Sequence, residues 1–392
     1  MSTLKVDNIR HNNATSDAIT MASDGTCTAK LTSVGGGQLS HRNIIINGAM
    51  NVAQRGVSYT GSDTYATVDR FYIHKGTVSE NPTQEQVDVA AGTTPYSLGF
   101  RKAYKITNGN QTLAAGSFIR FRHGIEAQDL ANCGWNYTST SSKITLSFWI
   151  KSSVAQNFYV DLQTADGTAQ NFAYETGSLT ANTWTKIVKT IPGNSNLTFD
   201  NDANQGMFIN VNAYMGTNYS ASGHTLDTWG AFNTASRIPD MSSTWYTTDD
   251  ATFELTGVQL EVGDTATSFE HRSYCEELQR CKRYFQIIAD GGDNANETLG
   301  TAHAWNSVQA ELILRWEVEM RDAPDILQGV GTNYYQVTIN GVAKYTNQFQ
   351  KYQFTKRSGM LYNTNFSGLS GGSAYRCKLN HANAYLHLDA EL

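Results

Sequence analysis

The chain has 392 residues, among them 33 Gly and 5 Pro, with 16% charged and 11% aromatic residues and a net charge of −6. A soluble domain carries about 25% charged residues; here Asn, Ser, Thr, Gly and Tyr stand where Glu and Lys would cover helices, which excludes coiled coils, helical arrays and all-helical enzymes and favours an all-β chain. The mild negative balance argues against a broad nucleic-acid footprint, and no run of about 18 apolar residues suggests a membrane span.

Length allows two or three domains. The start, MSTLKVDNIR, has neither the basic opening nor the apolar run of a secretory signal. Cys27, Cys133, Cys275, Cys281 and Cys377 are odd in number and make no CxxC pair, which fits free thiols of a reducing cell better than a disulfide framework or a zinc site.

Residues 1–40 contain only short β-type pieces, Leu4 to Ile9, Ala18 to Met21 and Thr26 to Leu31, between polar turns. Pieces this short cannot cover their own apolar side chains, so the segment is expected to be a β-rich stem or docking arm of a homotrimer, with a disordered tail as the alternative. Gly35, Gly36 and Gly37 read as a joint; a phosphate loop would continue into a Lys and a helix.

Residues 41–270 form a succession of alternating strands. In ITLSFWIKSS, Ile144, Leu146, Phe148 and Ile150 share a face, and in GMFINVNAYMG so do Met207, Ile209, Val211, Ala213 and Met215. Asp166 and Gly167 mark a hairpin turn. In TFELTGVQLEV the apolar parity switches between Leu255 and Val258, which predicts a bulge at Gly257. About 230 residues of this kind predict a two-sheet jelly-roll sandwich.

Residues 271–290 read as a helix. Tyr274, Leu278, Cys281, Phe285 and Ile288 recur at spacings of three and four, and Ser273 with Glu276 forms a capping box. It serves as a linker or oligomer-packing element, or lies over the sandwich. Residues 291–392 read as a small β-rich tip domain. AELILRWEVEM alternates Leu312, Leu314, Trp316, Val318 and Met320 against Ile313, Arg315, Glu317 and Glu319, and Asn340 with Gly341 marks a hairpin.

Chemistry is sparse. There is no dinucleotide fingerprint, HExxH helix or G-x-S-x-G elbow. Carboxylate pairs that could serve a glycosidase are Asp249 with Asp250, Glu261 with Asp264, and Glu317 with Glu319, each with a structural reading as turn, strand end or polar face. His387 and Asp389, on one parity of the last strand, read as a surface pair. Jelly-roll carbohydrate modules often hold Ca2+ through an Asp on the last strand, where this chain has Gly257 and Gln259, so no metal and no cofactor are assigned. What remains is binding by aromatics and amides, which hold sugar C–H faces and hydroxyls without charge. The candidates are Trp305, Tyr334, Tyr335, Tyr345, Tyr352, Tyr362 and Tyr375, any one of which can instead be core or trimer-interface.

The stretches RNIIINGAMNVAQRG, YATVDRFYI, ITLSFWIKSS, WTKIVKTIPG and FELTGVQLEVGDTATSFEHRSYCEELQRCKRYF, over residues 41–286, resemble a family of bacteriophage tail fibre and receptor-binding proteins. The N-terminal STLKVDNI and AITMASDGT are similar to the virion-attachment end of such fibres. The resemblance implies a homotrimer with a jelly-roll domain like carbohydrate-binding modules and a variable distal tip. It implies docking to tail or adaptor proteins through residues 1–40, binding of a host surface polysaccharide or lipopolysaccharide, and location in the virion after assembly in host cytoplasm. It supplies no catalytic residues. The family's signature positions, Asn47, Gly48, Gln54, Arg55, Asp69, Arg70, Gln259, Glu261, Gly263 and Glu270, are read as structural. A glycan depolymerase and a purely architectural appendage stand as alternatives.

Overall fold

A computed structural model of the chain describes residues 5–10, 12, 13, 15, 17–25, 40–61 and 64–392, and the backbone of 27–29. The expected joint at Gly35–Gly37 lies outside the described residues. Strands β1 (Asn8–Ile9), β2 (Ile19–Met21) and β3 (Cys27–Ala29) form a three-stranded antiparallel sheet. It leaves Val6, Ile9 and Met21 exposed. Strands of two, three and three residues bury too little to be stable alone.

The sandwich contains β4 (Ser58–Thr60), β5 (Phe71–Gly76), β6 (Thr83–Asp88), β7 (Lys102–Thr107), β8 (Phe118–Glu126), β9 (Lys143–Ser152), β10 (Asn157–Thr164), β11 (Gln170–Ser178), β12 (Thr185–Pro192), β13 (Gln205–Met215), β14 (Trp229–Ala231) and β15 (Thr252–Val262). They build two antiparallel six-stranded sheets, ordered β14-β11-β10-β13-β8-β5 and β12-β9-β15-β7-β6-β4, a jelly-roll arrangement. The expected inward sets, from Ile144 to Ile150 and from Met207 to Ala213, meet in one core with Phe121, Phe158 and Phe253. At the β13–β8 register shift between Asn212 and Tyr214 the pattern breaks, so Tyr214 joins that core and Met215, expected with the set, packs with Phe118, Ala173 and Ile238. The hairpin at Asp166 and Gly167 joins β10 to β11, with Gly167 at φ 59°. The bulge falls where the parity switch puts it: the β15–β9 register shifts between Thr256 and Gln259, and Gly257 sits at φ 64°. A Cβ on Gly48 would stand 2.0 Å from the Val258 carbonyl, so the segment leading into the sandwich crosses this bulge only as glycine.

The opposite parity of β13 is buried as well. Asn210 and Asn212 are fully buried, because the connection over residues 216–241 lies across that face; Asn171 Nδ2 donates to the Arg237 carbonyl at 2.7 Å.

The helix is shorter than expected. It spans Tyr274–Lys282, capped by Ser273 Oγ accepting from the Glu276 amide at 3.2 Å, and Glu276 pairs with Arg280 one turn on. Residues Phe285–Asp290 are instead a strand, β16, paired with the last strand, β25 (Tyr385–Asp389). A register shift between Ile287 and Ala289 puts Ile288 out of strand phase, which imitates helical spacing. The remaining strands are β17 (Thr298–Ala304), β18 (Ala310–Arg315), β19 (Asp325–Gln328), β20 (Tyr335–Ile339), β21 (Val342–Thr346), β22 (Gln350–Tyr352), β23 (Ser358–Asn363) and β24 (Ala374–Leu379). A seven-stranded sheet, β21-β20-β24-β17-β18-β23-β22, faces a three-stranded one, β16-β25-β19, over a second core. Asn340 at φ 49° and Gly341 at φ 79° turn the β20–β21 hairpin.

The two β units are joined through charge. Arg70, 1% exposed, pairs with Glu391, donates to the Gly124 carbonyl at 2.7 Å and stacks on Tyr284 with its Cζ 3.4 Å from the ring centre. Arg55 lies between Glu391 (3.3 Å), Asp389 (3.1 Å) and Asp69 (3.8 Å), over the Phe285 ring. Glu126, fully buried, takes two donors from Arg283 (2.7 and 2.8 Å) and one from Tyr284. Burial pushes the Glu126 carboxyl up, but these donors outweigh it and hold it below the usual range. His387 and Asp389 are therefore no surface pair: Asp389 serves Arg55, and His387 lies 3.5 Å from Asp290, between Phe285 and Tyr385. Asn47 takes φ 61° and clamps Val52 and Asp69 through its amide, and Glu270 accepts from the Arg42 and Asn43 amides at 3.0 Å. The signature positions thus lie at the closure of the sandwich and its seam.

One outcome follows from this seam. Glu391→Ala leaves two buried guanidiniums short of their shared carboxylate and lowers unfolding free energy by about 3–5 kcal/mol, read from urea unfolding; an unchanged midpoint contradicts the seam.

Candidate glycan-binding face

The outward parity of the seven-stranded sheet carries the aromatics. Core-side pairs such as Ala302 with Leu312 and Leu312 with Leu361 fix the register, so Glu311 stands beside Tyr362, and Ile313 beside Met360, on the other face. On the next strand Met360 pairs with Tyr352. Trp305 begins the turn between β17 and β18. Its amide donates to the Gln309 carbonyl at 2.9 Å, and Asn306 Oδ1 takes the Val308 and Gln309 amides at 2.9 and 2.8 Å, a side-chain-closed turn that leaves the indole 65% exposed.

These residues enclose a shallow cavity of about 350 Å3 lined by Trp305, Gln309, Glu311, Tyr352, Met360 and Tyr362. The Tyr352 and Tyr362 rings meet edge to face with centroids 6.2 Å apart. Gln309 Nε2 donates to Glu311 Oε1 at 2.8 Å, which orients the carboxylate and leaves acceptor capacity for hydroxyls. Flat rings with one amide and one carboxylate suit a pyranose: the rings take its C–H face and the polar pair takes its hydroxyls.

The structure divides the seven sequence candidates. Trp305, Tyr352 and Tyr362 come together. Tyr345 is exposed on the same face but on β21, three strand steps from β17, which leads into Trp305, and six from Tyr352 on β22, about 14 and 29 Å at the usual spacing. Tyr334 is half-buried and stacks on His381 with centroids 4.4 Å apart. Tyr335 and Tyr375 are core residues: the Tyr335 hydroxyl donates to the Gly329 and Tyr385 carbonyls at 2.9 and 2.8 Å, and Tyr375 accepts from the Ser370 amide. They sit on the parity that faces Ala302 and Cys377, so they cannot reach a ligand. Sequence reasoning missed Gln309, Glu311, Met360 and the neighbouring Ile313. Ile313 is 72% exposed, and its signal was present as a large apolar residue on the polar parity of AELILRWEVEM.

Three of the candidate carboxylates have partners, and Asp249, Asp250 and Asp264 are exposed, away from the aromatic cavity. Glu317 pairs with Lys282 and Glu319 with Arg357, and Glu261 takes the Thr267 amide and the Gln259 amide nitrogen. Glu311 is the one carboxylate lining the aromatic cavity. Among the described residues no group of three His, Cys, Asp or Glu is placed to hold a metal ion, and no helix is long and apolar enough to cross a membrane.

No protein-family model and no curated protein matches the chain. Solved structures similar to it include the enzymatically active domain of tailspike protein 4 of bacteriophage CBA120, with 11% identity and a TM-score of 0.29 over 56% of this chain and 21% of that one. The match thus spans about a fifth of the tailspike chain. The CBM22-1 xylan-binding domain of Paenibacillus barcinonensis Xyn10C matches over 60% of this chain and all of its own, with 9% identity and a TM-score of 0.28. A family 4 carbohydrate-binding module covers 55% of this chain and 97% of its own, with 15% identity and a TM-score of 0.27. At these scores function has to be read from the residues of this chain.

Trp305→Ala and Tyr352→Ala should each weaken glycan binding about tenfold or more, about 1.4 kcal/mol, with the melting temperature unchanged. Tyr335→Phe does the reverse, lowering stability by about 1 kcal/mol for its lost hydrogen bonds and sparing affinity. Calorimetry and thermal melts of the three variants check the division.

Proposed function

We propose that the chain is a non-catalytic, glycan-binding fibre protein of a bacteriophage tail: a homotrimer that docks to the tail through residues 1–40 and holds a host surface polysaccharide or lipopolysaccharide on its distal β unit. The observation that carries this reading is the solvent-facing set of Trp305, Tyr352 and Tyr362 around one cavity. A fold that wanted only stability would turn such rings inward, as it does Tyr335 and Tyr375.

The stem supports the assembly. Val6, Ile9 and Met21 are exposed in one chain, and three copies wound together would cover them. Repetition also compensates for a shallow site, since weak contacts tied to one particle gain strength through effective concentration. The resemblance over residues 41–286 points the same way.

The test is adsorption. Purified full-length protein should compete with phage for host cells, and Trp305→Ala should lose that competition while sedimenting as the same trimer. A monomer with residues 1–40 present contradicts the stem. New reducing ends released from host polysaccharide would replace binding by hydrolysis, and full competition by the Trp305 variant would leave the distal face without a receptor role.

A further inference from the structure

A second feature lies in the sandwich, on the face of β5, β8, β13 and β10 that points away from the core. The register lines up His74, Arg120 and Asn212 across three strands, and beside them Tyr72, Arg122, Asn210 and Asp161 across four. Residues 216–241 close over them and bring in Arg237. Three guanidiniums therefore share a buried face with one carboxylate.

That carboxylate is in direct contact with none of the three guanidiniums. Asp161, fully buried, accepts Asn210 Nδ2 on one oxygen and Asn212 Nδ2 on the other, both at 2.8 Å. Among the described residues no carboxylate lies within 4 Å of Arg120, Arg122 or Arg237. Arg120 is 0% exposed; its Nε and Nη2 donate to the His74 ring nitrogen at 3.2 and 2.9 Å, a neutral partner, and its Nη1 has none. Arg122 donates to Asn210 Oδ1 at 2.8 Å and reaches the Tyr72 hydroxyl at 3.5 Å. Arg237 Nε is also buried without a partner. Burial and the neighbouring Arg122 push the Arg120 guanidinium down to about 9.

One carboxylate on this face for three guanidiniums leaves an excess of buried positive charge, an arrangement a fold keeps at a cost. The guanidiniums are moreover held in place by rings: Arg122 over Phe208 at 4.1 Å, and Arg237 near Tyr219 and Phe232 at 4.9 and 5.2 Å. Arg237 is partly exposed and Arg122 is 8% exposed, so the group nears solvent on its Arg237 side. Planar donor forks held by aromatic surfaces match a carboxylate or phosphate.

The geometry points to an oxyanion subsite made by Arg120, Arg122 and Arg237 that takes the carboxylate or phosphate substituent of an acidic saccharide. It lies on the sandwich, independent of the aromatic cavity on the distal unit, and would add recognition of charge to recognition of sugar faces. A neutral glycan would leave Arg120 as it is and gain nothing there.

Thermal melts of the full chain, at ionic strength matched with sodium chloride, test this with trigalacturonate, glucose 6-phosphate and inorganic phosphate. A saturable rise in midpoint with trigalacturonate assigns a carboxylate, and one with glucose 6-phosphate a phosphate. Arg120→Met and Arg237→Gln should each raise the half-saturating concentration at least fivefold, and Arg120→Met without ligand should melt at or above the parent because an unpaired buried charge is gone. Should that variant fold poorly, Arg237→Gln gives the same reading from a less buried position. Trp305→Ala keeps the response, which separates this subsite from the distal one. No saturable rise, a rise with inorganic phosphate alone, or a rise equally strong in both arginine variants overturns the assignment.

Discussion

Arg70 has almost no contact with water, and the carboxylate that pairs with it comes from Glu391, more than three hundred positions later. A buried guanidinium without a carboxylate is strongly destabilising, so the sandwich is complete only when the last strand returns to it. That return brings Asp389 and Glu391 to Arg55 and lays β25 beside β16. It also anchors Arg321, which donates to the carbonyls of Ala390, Glu391 and Ala203 and so reaches both units. The distal unit is consequently held against the sandwich by ions and rings, and its seven-stranded sheet has a defined outward face.

That constraint explains the division of labour among the tyrosines. The inward face must fill a core bounded by Ala302, Leu312 and Leu361, and Tyr335 and Tyr375 do so with their hydroxyls satisfied. The outward face carries no such obligation. Rings exposed there are costly to solubility unless something uses them, and a cavity with one oriented carboxylate and one amide is a concrete use.

Much of the fold was legible because it rests on alternation. The strand cores at Ile144–Ile150 and Met207–Ala213, the Gly257 bulge and the hairpins at Gly167 and Gly341 follow from parity and turn chemistry alone. The helix boundary was not, since a bulged strand at Phe285–Asp290 presents apolar residues at helical intervals and only its pairing with β25 decides the matter. Nor does alternation tell that the polar face of β13, with Asn210 and Asn212, is buried, since residues 216–241 cover it from far along the chain. Among the site candidates, composition identified the ring types but not their parity, which is why Tyr335 and Tyr375 stood beside Trp305, and why Glu311, Gln309 and Met360 went unnoticed. Ion pairs such as Arg70 with Glu391 are invisible to any local pattern.

The most direct measurement is an electron cryomicroscopy structure of the assembled full-length protein with an oligosaccharide from its host's surface. The account predicts three copies joined through residues 1–40, with the face bearing Trp305, Tyr352 and Tyr362 open in each and sugar density stacked on those rings. A structure in which that face is buried between copies, with sugar absent from it, would contradict the account.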